Sequence, residues 1–366
     1  MTGQQNPHQP LRQRSEKGPV EGDTATLEPA LPPIDWDSAL DCARLFGGGG
    51  PSITLAQARK AVADVDERAH RAVAMVGEYS GLEYSSVPPI RIVDRGAWSR
   101  TNVQGLKVLL DRVGVETDET TGVTARVTGY QAGALLAFLS SRVLGQYVPF
   151  ASAEGPDEGG ALLFVAPNIV AMEQRLNLTP GDFRTWIALH EATHLLQFRA
   201  VPWMGEHFLG LVRDIVGGTD TGSFVREAYQ RLNDSEEGDE LGLLGALTGS
   251  DRREPLERVQ ALMSLLEGHA ESLMDTIGAA EVPSVETLRR RFDRHRAKPG
   301  AVTRTVRRLL GMEAKYSQYV AGKKFVDTIV RAEGLRGFNR IWESPEMLPT
   351  LAEIRDPDSW RERTRA

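Results

Sequence analysis

The sequence predicts a mostly α-helical domain with a small β component. Apolar residues recur at three- and four-residue spacing over long stretches, and this spacing is most regular across residues 54–79. Recognisable helix starts precede several such stretches, as at Thr179, where Pro180 and Asp182 follow in the first turn. Strand candidates are few and short, namely residues 90–93 and 161–166. The fold class is therefore α+β with helices dominant.

Further helices are predicted in order along the chain, each bounded by proline, glycine or a capping residue. The stretch 117–128 is predicted to be polar turns, and the tail from Pro345 is predicted to be irregular. The predicted helices cover residues 36–46, 97–113, 130–144, 179–201, 203–216, 255–277, a segment capped by Ser284, and residues 301–311 and 312–333.

The N-terminal residues 1–34 are predicted to be a disordered tail. They are rich in Pro, Gln, Gly, Glu and Thr and lack aromatic residues, so they cannot bury enough apolar surface to offset the loss of chain entropy. The remaining residues, 35–366, are predicted to form a single domain.

The composition argues against nucleic-acid and membrane partners. Lys and Arg total 43 against 50 Asp and Glu, which gives a formal net charge of −7 and no basic surplus. No stretch is apolar enough to span a bilayer, and the N-terminus lacks the apolar region of a signal peptide. Cys42 is the single cysteine, so neither an internal disulfide nor a thiolate zinc site can form. We therefore expect a cytoplasmic protein, and the sequence indicates no particular protein partner.

Residues 186–198 (WIALHEATHLLQF) contain His190, Glu191 and His194 in the spacing HExxH. Side chains four residues apart share one face of a helix, so both imidazoles can converge on one metal ion. Glu191 lies about 100° round the helix, where its carboxylate can reach a metal-bound water without becoming a ligand. A chance match would instead place two hydrogen-bonded histidines in the core. Zinc coordination is favoured because the flanking residues are apolar, and burying these polar groups without a partner is costly.

A catalytic zinc has three protein ligands and one open position, so the motif leaves one ligand to be found. A later predicted helix offers Glu267, His269, Glu271 and Asp275. The three acids share an arc of about 80°, whereas His269 lies almost opposite, so both Glu267 and His269 cannot easily reach one ion. The apolar pattern places both at the edge of the buried face. We favour Glu267, because Glu271 and Asp275 beside it could accept the second N–H of a ligating histidine; His269 and, more remotely, His207 are the alternatives.

The segments HEATH and EGHAE together resemble the gluzincin branch of the zincin metallopeptidases, in which two HExxH histidines and a downstream glutamate hold zinc. More specifically, the chain resembles the zincin-like metallopeptidase type 2 family, whose members include proteins described as hydrolases or as associated with coenzyme F420 biosynthesis. The resemblance spans most of residues 36–356 and is carried by VLGQYVPF, LLFVAPNIVAMEQRL, DFRTWIALHEATHLLQFRAVPW, LMSLLEGHAESLMD, GMEAKYSQYVAGKKFV and GFNRIWESPEMLPT.

The resemblance implies a zincin-like domain with one zinc ion (Zn2+) per chain, held by His190, His194 and Glu267, and with Glu191 as general base. The expected function is that of a zinc-dependent peptidase or related hydrolase acting on a peptide or small amide substrate.

Two other functions are compatible with the same residues. In a non-catalytic zincin-like scaffold for cofactor metabolism, zinc would be closed by a fourth ligand such as His269 or His207. In a small-molecule amidase, the zinc chemistry is unchanged and the pocket differs. A hydrolase also needs an oxyanion stabiliser, and Tyr316, Tyr319, His207 and His269 are the candidates.

Overall fold

Helices make up most of the chain, as the periodic apolar pattern predicts, and the mostly α fold class with a small β component is confirmed. The computed structural model describes residues 33–114, 122–150, 160–216, 253–296 and 312–365. The helices are α1 (Trp36–Phe46), α2 (Leu55–Ser80), α3 (Arg95–Arg112), α4 (Val123–Ser140), α5 (Ala166–Leu176), α6 (Pro180–Arg199), α7 (Met204–Val216), α8 (Arg253–Glu281), α9 (Val285–Arg296), α10 (Met312–Asn339), α11 (Leu351–Arg355) and α12 (Pro357–Arg363). Two short 3₁₀ turns, Arg340–Trp342 and Pro345–Met347, join α10 to α11.

A three-stranded sheet lies beside the helices, with strand order β1-β3-β2. The strands are β1 (Ile90–Val93), β2 (Gly145–Val148) and β3 (Ala161–Val165). The central strand β3 pairs in parallel with β1 and antiparallel with β2. Every residue of β3 is buried because side chains cover both faces, which explains its uninterrupted apolar run. The outer strand β2 leaves one edge for contact with other elements.

The core surrounds α6, the helix that carries the HExxH segment. Residues of α2, α6, α8, α10 and one face of β3 form one apolar cluster. Helix α6 packs against α2 on one side and α8 on another, and β2 also contacts it. Because neighbours cover nearly all of its surface, α6 can be apolar all round, as its sequence predicts.

Helices α8 and α10 cross at unusually short distance, and glycines permit the contact. A Cβ atom at Gly322 would lie 1.9 Å from the carbonyl oxygen of Ser264, and one at Gly268 would lie 2.2 Å from the carbonyl carbon of Gly322. Side chains larger than hydrogen would therefore separate the two backbones. This crossing fixes the segment of α8 that contains Glu267.

Several predicted boundaries are wrong. Helix α4 begins at Val123, inside the predicted turns, and ends at Ser140 rather than 144. Residues 145–148 form β2 because they pair with β3, a contact that local pattern does not reveal. Helix α5 was not predicted, although Pro167 stands in its first turn.

The C-terminal tail is helical rather than irregular. Thr350 and Glu353 form a capping box that starts α11, and Pro357 stands in the first turn of α12. The buried Trp360 ring packs against Phe325 of α10 with a centroid distance of 5.6 Å.

The predicted disordered N-terminal tail, residues 1–34, lies almost wholly outside the described residues. The predicted helix at 301–311 lies entirely outside them. The division into a tail and one domain stays a prediction. Within the described residues, no helix is long and apolar enough to cross a membrane.

Candidate metal centre

Helix α6 starts where the sequence predicts, with Thr179 as N-cap and Pro180 in the first turn. Thr179 makes no side-chain capping bond, and the Asp182 carboxylate accepts the backbone N–H of Ser284, at 2.9 Å. The start of α6 is thus tied to the start of α9. This bond holds the first turn of α6 beside α9.

His190 and His194 lie on one face of α6, as their four-residue spacing predicts. Their ring centroids are 4.7 Å apart, and their Nε2 atoms face each other at 3.2 Å. Both side chains are half-buried. Two ring nitrogens are therefore presented to one point at the edge of the core.

Glu267 of α8 approaches the same point from the neighbouring helix. One carboxylate oxygen lies 3.7 Å from Nε2 of His190, and the other lies 3.7 Å from Nε2 of His194. Among the described residues, these three are the group of His, Cys, Asp and Glu side chains that could hold a metal ion, with ligand atoms within 4.8 Å of one another. The structure therefore brings Glu267, and not His269, to the histidine pair; its role as a ligand stays a prediction.

The donor set fits zinc. A tetrahedral zinc ion with Zn–N bonds of about 2.0–2.1 Å separates its ligand atoms by about 3.3 Å. The observed Nε2 separation of 3.2 Å matches that value, and the separations from Glu267 of 3.7 Å need only a small side-chain adjustment. Two imidazoles and a carboxylate are also the ligand types of known catalytic zinc sites.

Gln197, which the sequence analysis did not single out, determines which nitrogen of His194 carries a proton. Its Nε2 donates to the carbonyl oxygen of Leu266 at 2.9 Å, which orients the amide. Its Oε1 then accepts from Nδ1 of His194 at 2.9 Å. Since an amide oxygen can only accept, the proton of His194 lies on Nδ1 and Nε2 keeps a lone pair for a metal. A buried polar residue three positions after the second histidine is the signal that could have revealed it.

His269 lies behind Gln197 rather than in the metal centre. The Gln197 amide donates to its Nδ1 at 3.1 Å, and its ring packs against both Phe338 and Trp342, with centroid distances of 5.1 and 5.4 Å. Burial, with a smaller effect from His194, lowers the pKa of His269 to about 3. A neutral, fully enclosed imidazole facing aromatic rings supports the fold rather than supplying a ligand.

Nδ1 of His190 and the carboxylate of Asp275 each have a partner that the sequence did not predict. Nδ1 of His190 lies 3.2 Å from the sulfur of Met274. Asp275 forms ion pairs with Lys323, at 3.1 Å, and with Arg289. Cations from α9 and α10 thus engage Asp275, and the role of Glu271 or Asp275 as acceptor for a histidine N–H stays a prediction.

Glu191 is buried beside the histidine pair, with 7% of its surface exposed. Its side chain lies against Gly145 of β2, where a Cβ atom would come within 2.5 Å of Cγ of Glu191. Burial, and then the charge of Glu267, raises the pKa of Glu191 to about 8. A cation held between His190, His194 and Glu267 would oppose both effects and favour the carboxylate form.

A cleft of about 480 Å³ opens onto these residues, and its walls come from α3, β2, α6, α7 and α8. His190, Glu191, His194 and Glu267 all line it. The site therefore combines a ligand set with room for a bound molecule.

Of the remaining candidates from the sequence, His207 lines a different pocket, and the side chains of Tyr316 and Tyr319 are not described. His207 of α7 packs on Trp203 with a centroid distance of 5.7 Å and lines a separate pocket. Neither His207 nor His269 is among the residues that line the cleft. Tyr316 and Tyr319 lie on α10, outside the residues whose side chains the structure describes. The oxyanion stabiliser stays unassigned among the predicted residues.

The profile of the zincin-like metallopeptidase family matches residues 34–360, nearly the whole chain. The protein belongs to this family. A crystal structure from Chloroflexus aurantiacus, described as "a putative hydrolase with a novel fold", is similar to this zincin-like protein, with 29% sequence identity and a TM-score of 0.67. The match covers 90% of this chain and 98% of that one. Among curated proteins, none matches the chain. Membership of the zincin-like family implies a metal, usually zinc, in agreement with the ligand set described above.

Proposed function

We propose that the protein is a zinc-dependent hydrolase that cleaves peptide or related amide bonds, with His190, His194 and Glu267 as ligands and Glu191 as general base. The observation that carries the proposal is the position of Glu191. It is buried beside a three-ligand cluster and lines the same open cleft. The description of the Chloroflexus aurantiacus relative as a hydrolase agrees with this function.

The residues divide the chemistry between them. Zinc, when bound, lowers the pKa of a coordinated water towards about 7 and polarises a substrate carbonyl. Gln197 keeps Nε2 of His194 free of a proton, and Gly145 leaves space for the Glu191 side chain. The Glu191 carboxylate would accept a proton from the attacking water on one oxygen and donate it to the leaving nitrogen of the cleaved amide.

A scaffold held together by a structural zinc is less well supported. Such a site is closed by four protein ligands, whereas a catalytic site has three. Within the described residues the cluster contains three, and Gln197 separates His269 from it. A purely structural site also gives no role to Glu191. The predicted link to coenzyme F420 metabolism belongs to this scaffold alternative. The small-molecule amidase hypothesis concerns the substrate and is compatible with the same centre.

The variant Glu191→Gln tests the proposal. The amide keeps nearly the same shape but cannot accept the proton, so zinc content and folding should be unchanged while hydrolysis falls by a factor of about 10² to 10⁴. Metal analysis measures the zinc content, circular dichroism measures the folding, and turnover of peptide and amide libraries measures the hydrolysis. Glu286→Gln, an exposed substitution on α9, is the matched control and should behave as wild type. Turnover by Glu191→Gln at the wild-type rate would refute the proposed mechanism.

A further inference from the structure

Four aromatic rings line one side of the cleft and form what we call the aromatic wall: Tyr147, Phe150, Phe198 and Phe208. Their centroids are linked in sequence, at 5.8 Å from Tyr147 to Phe198, 6.1 Å from Phe198 to Phe208 and 6.2 Å from Phe208 to Phe150. Three separate elements contribute to this continuous apolar surface.

The aromatic wall lies next to the reacting centre. Phe198 follows His194 by four residues on α6, so it continues the row of side chains formed by His190 and His194. The wall therefore begins one helical turn from the predicted ligands. A substrate group bound there would be attached close to the bond under attack.

Aliphatic and thioether side chains add to the apolar lining of the cleft. They are Leu106 and Leu109 of α3 and Met263 and Leu266 of α8. Leu106 is 41% exposed, so it offers apolar surface that the fold itself does not cover. Contact with an apolar ligand would remove this surface from water.

The described lining of the cleft includes no lysine or arginine, and its ionisable acids are Glu191 and Glu267. The amide side chains in the lining, Asn102 and Gln146, are neutral and hydrogen-bond to each other. Gln146 donates to Asn102 at 2.9 Å and accepts from the Trp98 indole at 2.8 Å. With zinc bound, the charge of the ion is already offset by Glu191 and Glu267, so a substrate carboxylate next to the scissile bond would find no lysine or arginine in the described lining to pair with it.

We propose that this cleft selects a neutral internal segment of substrate with an aromatic or large aliphatic side chain beside the scissile bond, and that it discriminates against a free carboxylate at that position. This inference rests on the proposed hydrolase function. Enclosing such a side chain rather than a methyl group favours the preferred substrate by a factor of about ten to a hundred.

The test uses peptides of the form acetyl-Gly-Ala-Ala-Xaa-Ala-Gly-amide, with Xaa as Phe, Leu, Ala, Asp or Lys, and a shortened Phe peptide that ends in a free carboxylate directly after Xaa. Cleavage by the zinc-loaded wild type is followed by mass spectrometry, and binding to zinc-loaded Glu191→Gln by calorimetry. We expect the blocked Phe and Leu peptides to exceed Ala, Asp and Lys by about tenfold or more in both measurements. The free carboxylate should remove most of that advantage.

A variant in the aromatic wall and a control variant test whether the wall causes the preference for Phe over Ala. Phe198→Ala should reduce the preference for Phe over Ala with zinc content retained, while Phe46→Ala, at a residue 74% exposed on α1, should leave it unchanged. If Phe198→Ala fails to fold, Leu106→Lys serves instead, because its half-exposed position tolerates a lysine. The added cation should improve binding of the Asp peptide.

The outcomes separate this inference from the proposed function. Cleavage with Asp or Lys preferred over Phe would overturn the inference and leave the hydrolase intact. If no peptide is cleaved but the Phe and Leu peptides bind best, the apolar site stands and the peptidase function fails. Equal or absent binding of all the peptides would overturn the inference.

Discussion

Gln197 has no exposed surface, yet its amide connects both helices that carry the predicted ligands. It binds His194 on its own helix and the Leu266 carbonyl on α8, one residue before Glu267. One side chain thus sets both the tautomer of a histidine and the position of the carboxylate that completes the cluster. Residues that orient ligands in this way can matter almost as much as the ligands themselves.

Replacing Gln197 by Leu should weaken zinc binding by about 10- to 100-fold, because His194 loses the acceptor that holds its proton on Nδ1. It should also lower the free energy of unfolding by about 1–3 kcal/mol, since the Leu266 carbonyl and His269 Nδ1 lose their partner. Competition with a chromophoric chelator measures the affinity, and urea unfolding of the metal-free protein measures the stability. Gln131→Leu, at an exposed position on α4, is the control. Wild-type zinc affinity in Gln197→Leu would show that the tautomer is held in another way.

At the scale of the elements, strand β2 meets helix α6 where Gly145 lies against Glu191. The strand also contributes residues to the cleft. Its pairing with β3 therefore fixes both the surroundings of Glu191, the proposed general base, and part of the cleft lining.

Gly145→Ala should displace Glu191 while leaving the fold intact, because the added Cβ would lie 2.5 Å from a flexible side chain. A displacement of about 1 Å at a catalytic group can cost a factor of about a hundred in rate. Turnover should fall accordingly, with zinc content and circular dichroism unchanged. The matched control is Gly49→Ala, since a Cβ there has nothing within 4 Å. Full activity in Gly145→Ala would mean that Glu191 has more freedom than the structure indicates.

The sequence was most informative where a signal is local. The helix start at Pro180 and the spacing of His190 and His194 depend on neighbouring residues alone, and both predict the structure well. Strand β2 depends on pairing with residues far along the chain, so its sequence, GQYV, gave no sufficient local signal. The choice between Glu267 and His269 likewise depended on how α8 rotates against α6, which the edge positions of both residues left open. The C-terminal helices were missed although the capping box at Thr350 was available.

At the scale of the whole molecule, the predicted ligands connect two helices that pack against each other in the main core. A ligand that binds the folded chain but not the unfolded chain stabilises it in proportion to RT ln(1 + [L]/Kd). Zinc should therefore stabilise the entire fold and not only the residues around the cleft.

We expect zinc to raise the melting temperature and a chelator to lower it. A free zinc concentration about a thousand times the Kd corresponds to about 4 kcal/mol of added stability. The response should disappear in the His190→Ala, His194→Ala double variant, weaken strongly in Glu267→Ala and largely persist in His269→Ala. Scanning calorimetry at controlled concentrations of free zinc measures this change in melting temperature. A larger loss in His269→Ala than in Glu267→Ala would reverse the ligand assignment.

The two histidines lie one turn apart, whereas Glu267 follows them by roughly seventy residues, and this unequal spacing has a consequence for the order of assembly. The pair of imidazoles needs only α6 to be helical, whereas the carboxylate also needs the chain between to close and α8 to pack against α6. Early in folding, an ion finds two ligands and exchanges freely. Tight capture requires the third, so a firmly held metal reports that α8 has packed against α6.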